Sequence, residues 1–119
     1  MGERPLAQSP PRLKRRREFL RVAGKGSRGA RPGLVLQALP ATGAPLRVGF
    51  TATKKLGNAV ARNRAKRRLR EAARIMLGQQ DAPEGWDLVL IGREATGSRK
   101  FTQLMGDLRG LLKQLGVKP

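Results

Sequence analysis

Between Lys54 and Met76 the chain reads KKLGNAVARNRAKRRLREAARIM. Seven arginines and lysines from Arg62 to Arg74 stand there against one acid, Glu71. Guanidinium groups suit phosphate, because their planar fork donates two parallel hydrogen bonds. A solubilising helix instead mixes both signs in i,i+4 pairs. Holding like charges this close costs stability unless a polyanion neutralises them. The whole chain repeats the imbalance, with 26 Lys and Arg against 8 Asp and Glu and a net charge of +18. Nucleic acid is favoured over a membrane surface, which would need bulky apolar residues opposite the basic face; this segment offers mostly Ala.

Placed at about 100° per residue, Ala61, Ala65, Leu69, Ala72 and Met76 form one stripe. Asn63, Lys66, Arg67, Arg70 and Arg74 fall on the opposite side. Arg62 and Arg68 flank the apolar stripe, and Arg64 sits between the polar face and one flank. The small stripe lets the helix lie close to a sheet while the cations project into solvent. Asn63 can read a base edge or a ribose hydroxyl, or fix a neighbouring arginine. Lys54, Lys55, Gly57 and Asn58 surround the helix start, where backbone N–H groups favour phosphate. Asn58 serves equally well as a plain N-cap.

Catalysis by the protein itself is poorly supplied. The chain has no His, the usual acid–base group near neutral pH, and no Cys for thiol, disulfide or zinc chemistry. The acids Glu3, Glu18, Glu71, Asp81, Glu84, Asp87, Glu94 and Asp107 form no obvious metal-binding pair beside the basic surface. A nuclease acting alone is therefore disfavoured, and no catalytic residue is assigned.

The elements that position this helix are short. The 119 residues allow one small domain, here 10–119 after a flexible tail over 1–9. Ser9, Pro10 and Pro11 suggest the start of a basic helix from Arg12 to Val22. Its cations are Arg12, Lys14, Arg15, Arg16 and Arg17; Leu13, Phe19, Leu20 and Val22 give it an apolar side. Gly24 to Gly33 is a loop with room for a short edge strand. Leu34 to Leu39 reads as a strand and Pro40 to Pro45 as a turn. Leu46 to Thr53 alternates: Leu46, Val48, Phe50 and Ala52 face one way, and Arg47, Gly49, Thr51 and Thr53 the other. With the preceding strand it is expected to form an antiparallel hairpin. Gln79 to Gly85 is a loop. Trp86 to Gly92 (WDLVLIG) suits a strand buried on both faces. Ser98 is the expected cap of a last helix, whose core stripe is Phe101, Leu104, Met105, Leu108, Leu111, Leu112 and Leu115. The class is α+β, in the order helix, strands, helix, strand, helix. No run approaches a membrane span. Met1 to Pro11 lacks the apolar stretch of a signal peptide, so a cytoplasmic protein is expected.

RVGFTATKKLGNAVARNRAKRRLRE, from Arg47 to Glu71, resembles the signature region of the bacterial ribonuclease P protein subunit. The Arg62-Asn63-Arg64 triplet, Lys54-Lys55-Leu56-Gly57-Asn58 and Lys66-Arg67 carry the resemblance. It extends more weakly from Leu13 to Leu115, through Glu18-Phe19 and the Asp87 to Ile91 strand. The resemblance implies a small α–β sandwich with a left-handed strand–helix–strand crossover. It implies a partner, the catalytic RNA of ribonuclease P, that holds the catalytic centre and most of the magnesium; no protein metal ligand is assigned. It implies a substrate, precursor tRNA, whose 5′ leader is removed by endonucleolytic cleavage. Catalytic-RNA contacts are then expected from Lys54, Lys55, Asn58, Arg62, Asn63, Arg64, Lys66, Arg67, Arg70 and Arg74. Leader contacts are expected from Phe19, Arg47, Thr51 and Thr53, in a cleft between the first helix and the open sheet face. Phe19 reads equally as a core residue, and the two threonines as ordinary strand residues. Ala23 and Gln37 stand where relatives often carry aromatics. The alternative is a general RNA-binding or ribosomal protein.

Overall fold

The computed structural model describes residues 10–78 and 85–117. The tail with Ser9, and all of the 79–85 loop except Gly85, lie outside the described residues. The elements are α1 (Arg16–Lys25), β1 (Ser27–Arg31), β2 (Leu34–Pro40), β3 (Arg47–Ala52), α2 (Ala59–Leu77), β4 (Trp86–Gly92) and α3 (Phe101–Gln114). Single 3-10 turns, Lys54–Leu56 and Glu94–Gly97, precede α2 and follow β4. The four strands form one sheet in the order β1-β2-β4-β3.

That order corrects one expectation. β2 and β3 do not form a hairpin; β4 lies between them, antiparallel to β2 and parallel to β3. The hairpin is β1–β2, in which Arg31 faces Leu34 across a two-residue turn. Leu34, Val35, Leu36, Gln37 and Ala38 are all buried. A strand covered on both faces belongs inside a sheet with neighbours on both sides, which a strand bordered only by β3 would not be. β4 is central as expected: Leu88 and Leu90 face one layer, and Val89 and Ile91 the other.

The main core lies between the sheet and α2 with α3. It contains Leu36, Val48, Leu69, Ala72, Leu88, Leu90, Leu104, Leu108 and Leu111. The stripe on α2 is as expected through Leu69 and Ala72, but it widens to Ala73 and Leu77 at the C-terminal end. A smaller core on the opposite face joins Leu13, Val22 and Val89, with Phe19, Leu39 and Ile91 packed against it. The sheet face read as open is thus half-covered by α1.

The hand of the β3–α2–β4 crossover follows from one residue. Val48 directs its side chain into the α2 layer. Its N–H and C=O bond outward to Pro11 and Leu13, at 2.9 and 3.0 Å. For an L-residue on a strand running upward with its side chain toward the viewer, those groups point right. β4 therefore lies to the left, and the connection passing in front through α2 is left-handed. About 98% of such units are right-handed, so the expected exception is present.

Two helix starts differ from expectation. Arg12 does not begin α1; it forms a parallel bridge to Val48. The extended segment covers the otherwise bare edge of β3. The helix then begins at Arg16, where Glu18 Oε1 accepts the N–H groups of Lys14 and Arg15 at 2.9 Å each. Ser98 does not cap α3; it closes the 3-10 turn Glu94–Gly97. Lys100 precedes α3 without a side-chain cap bond. Arg99 Nε, bonded to Asp107 Oδ2 at 2.6 Å, ties the incoming chain to the helix instead.

Candidate RNA interface

The start of α2 is built by short-range geometry. Gly57 takes φ 101°, a left-handed conformation that side chains resist. Asn58 Oδ1 then accepts the N–H of Ala61 at 2.9 Å, so Asn58 is the N-cap. Lys54 and Lys55 are exposed beside it.

The cations of α2 separate into two groups. Arg62 Nη1 donates to the Gly57 carbonyl at 2.8 Å, closing the loop that enters the helix. Arg64 Nε donates to the Gly97 carbonyl at 3.0 Å, and Arg68 Nη2 donates to the carbonyl of Arg99. Arg68 also lies over the Phe101 ring, 5.9 Å from its centroid. One helical turn apart, Arg64 and Arg68 clamp α2 to the segment between β4 and α3. Arg74 pairs with Glu71 at 2.5 Å; its hydrogen bond to that carboxylate raises its pKa and lowers that of Glu71. The second group is Asn63, Lys66, Arg67 and Arg70. No side-chain hydrogen bond joins these four to any described residue, and Asn63 and Arg67 are exposed. They form the solvent-facing ridge that the helical spacing anticipates. Of the two flanking arginines, Arg68 reaches a neighbouring segment and Arg62 closes the entry loop; Arg64 also reaches that segment, and Arg74 pairs within α2, neither of which the helical spacing anticipated.

On the other sheet face, Phe19 lies against Gly49. A Cβ at Gly49 would press on Phe19 Cε1 and lie 2.6 Å from Cζ, so only glycine admits the ring there. Phe19 is half-buried and belongs to the small core as well as to the surface. Thr51 is half-buried on the same face, beside Ile91 in parallel register. Thr53 lies just past the end of β3, exposed and still extended, where the 3-10 turn starts. Gln37 is 7% exposed and Ala23 is exposed.

Arg47 is the residue whose surroundings differ most from expectation. Its Nε and Nη2 donate to the two carboxylate oxygens of Asp87 at 3.1 and 2.9 Å. Its Nη1 donates to Glu18 Oε2 at 2.5 Å. Asp87 is 3% exposed, and a buried carboxylate needs a paired cation. Arg47 therefore bolts α1 to two strands. An acid within the apolar run WDLVLIG was the sequence signal for this pair, and only the β3–β4 register shows which cation answers it. The N–H groups of Arg15 and then Lys14, with help from Arg47, lower the Glu18 pKa from 4.5 to about 2. A carboxyl depressed on folding stabilises the fold above its unfolded pKa and loses that contribution as pH falls through the folded value. The window is thus pH 4.5 down to about 2. Acid titration followed by thermal melting is expected to show a steeper loss for the native chain than for Glu18→Gln over that window. Parallel curves would contradict the assignment.

Comparison with known proteins gives one consistent result. The family model described as Ribonuclease P matches residues 8–116. The "Ribonuclease P protein component" of Gluconacetobacter diazotrophicus is 53% identical over 114 residues, covering 95% of this chain and 97% of that protein. The protein of the same name from Paramagnetospirillum magneticum is 50% identical, covering 94% and 87%. The solved RNase P protein of Staphylococcus aureus superposes with a TM-score of 0.75 at 29% identity, covering 89% of this chain and 95% of that one. The same three-helix, four-strand architecture, the signature along α2 and this agreement over nearly the whole length place the chain in the bacterial ribonuclease P protein family.

Proposed function

We propose that the chain binds the catalytic RNA of ribonuclease P through α2 and the 5′ leader of precursor tRNA through the sheet face beside α1. It thereby assists endonucleolytic removal of the leader in the cytoplasm. The observation carrying this reading is the ridge of Asn63, Lys66, Arg67 and Arg70, left without described protein partners on a helix whose other arginines are used internally. Lys54, Lys55 and the remaining donors of Arg62 and Arg64 extend it. Family membership supplies the identity of the RNA. Phe19 and Thr51 support the leader contact; Arg47 acts there by holding the wall, since both its neighbouring carboxylates occupy it.

Of the five described carboxylates, Glu18, Glu71, Asp87 and Asp107 each bond to an arginine, and Glu94 stands exposed in the 3-10 turn after β4. That supports magnesium held mainly by the RNA, with the catalytic centre there too. Among the described residues, no group of three or more acids could hold a metal ion, and no helix is long and apolar enough to cross a membrane.

The test is to sequence the RNA that copurifies with the chain and to measure precursor tRNA cleavage by its catalytic RNA at low magnesium. Recovery of that RNA and stimulated cleavage are expected. Ribosomal RNA alone, with no stimulation, would favour a general RNA-binding protein. Cleavage by RNA-free protein would place the catalytic centre in the chain.

A further inference from the structure

The arginines of α2 outside its ridge all find a carbonyl or a carboxylate within the protein. The outer cations of α1 find none among the described residues. Arg16, Arg17, Arg21 and Lys25 are exposed, and no ion pair or side-chain hydrogen bond joins them to any described residue. Glu18, the sole acid of α1, points inward to Arg47 and to two backbone N–H groups, so it does not neutralise them. Arg17 with Arg21, and Arg21 with Lys25, are like-charged i,i+4 pairs, which destabilise a helix. Apart from Lys25, which meets the negative end of the helix dipole in the last turn, the fold gains nothing from this row.

The row also points away from α2. Val22 of α1 packs against Val89 on one sheet face, and Leu69 of α2 packs on the other. A nucleic-acid segment held on the α2 ridge therefore does not reach it. Successive members Arg17, Arg21 and Lys25 rise about 6 Å along the axis, comparable to the step between phosphates of a single strand. Leu20, 57% exposed, is the lone large apolar residue of that outer face, too little for a membrane-binding helix.

We infer that Arg17, Arg21 and Lys25, assisted by Arg16, form a second track for the phosphate backbone of single-stranded RNA, namely leader nucleotides beyond those on the Phe19 face. This rests on the reading that the Phe19 face receives the leader. The track adds affinity without reading sequence, because phosphates carry no base information.

The experiment replaces Arg17, Arg21 and Lys25 together with Gln, a good helix former, in the holoenzyme assembled with its catalytic RNA. Binding is measured against salt for precursors with long and stepwise shortened leaders, and for mature tRNA. The long-leader precursor is expected to lose roughly tenfold or more in affinity at low salt, with a salt slope shallower by about 2. The loss should shrink as the leader shortens and vanish for mature tRNA. Arg17→Lys with Arg21→Lys should keep the slope. An unchanged slope for the long leader, equal losses for mature tRNA, or weakened catalytic-RNA assembly would each overturn the track. Phe19→Ala separates the two ideas: if it lowers leader-dependent affinity while the triple variant does not, only the track fails. If neither lowers it, the leader face itself is wrong.

Discussion

Replacing Lys66, Arg67 and Arg70 together with Gln is expected to weaken binding to the catalytic RNA roughly a thousandfold, at about 1.5 kcal/mol per charge-assisted hydrogen bond. The salt dependence should flatten by about 2 to 3 units, because three phosphates no longer meet a cation. Thermal stability should hold, because these side chains have no partner among the described residues. Arg64→Gln and Arg68→Gln should behave differently. Each removes a donor from a carbonyl between β4 and α3, so stability falls along with affinity. Filter binding across a salt series, with melting curves on the same variants, separates the two groups. An unchanged slope for the ridge variant would remove α2 from the interface.

Gly49→Ala should be disproportionately damaging for one added methyl. The new Cβ would press on two atoms of the Phe19 ring, with Cζ at 2.6 Å, and lie 3.3 Å from the Leu13 Cβ. The ring must leave its place, and overpacking of this kind costs about 1–3 kcal/mol. Leader-bearing substrate should bind more weakly, while mature tRNA and the catalytic RNA are unaffected, since α2 packs on the other sheet face. In a Phe19→Ala background the same substitution should be nearly neutral, which a double-mutant cycle reads directly. Full additivity would mean that the ring and the glycine do not share a site.

The two surfaces were unequally legible in the sequence. The α2 ridge depends on a single helix, so a regular rotation per residue located Asn63, Lys66, Arg67 and Arg70 without tertiary information. What that rotation cannot reveal is which cations meet carbonyls on a distant turn; Arg64 reaches Gly97 and Arg68 reaches Arg99 only after folding. The other face needs three strands in register. Alternation placed Arg47 and Thr51 on one side, but the insertion of β4 beside β3 decided that Arg47 faces Asp87. The hairpin expectation failed because Pro40 to Pro45 resembles a local turn, while the apolar LVLQAL run, buried on both faces, was the better sign of an interior strand. The start of α1 failed for a related reason. Pro10 and Pro11 are compatible with a helix start, yet the bare edge of β3 recruits the chain as an extended segment.

Absence of cysteine from the chain makes any introduced thiol a unique attachment point. An iron-chelate cleavage probe placed by Asn63→Cys on α2, and another by Thr51→Cys on β3, can be read in the same assembled holoenzyme with precursor tRNA. The α2 probe is expected to cut the catalytic RNA and spare the leader, while the β3 probe cuts the leader and spares the RNA beneath α2. Cutting of the leader from position 63, or of the catalytic RNA alone from both positions, would contradict the division of the protein into two RNA-binding faces.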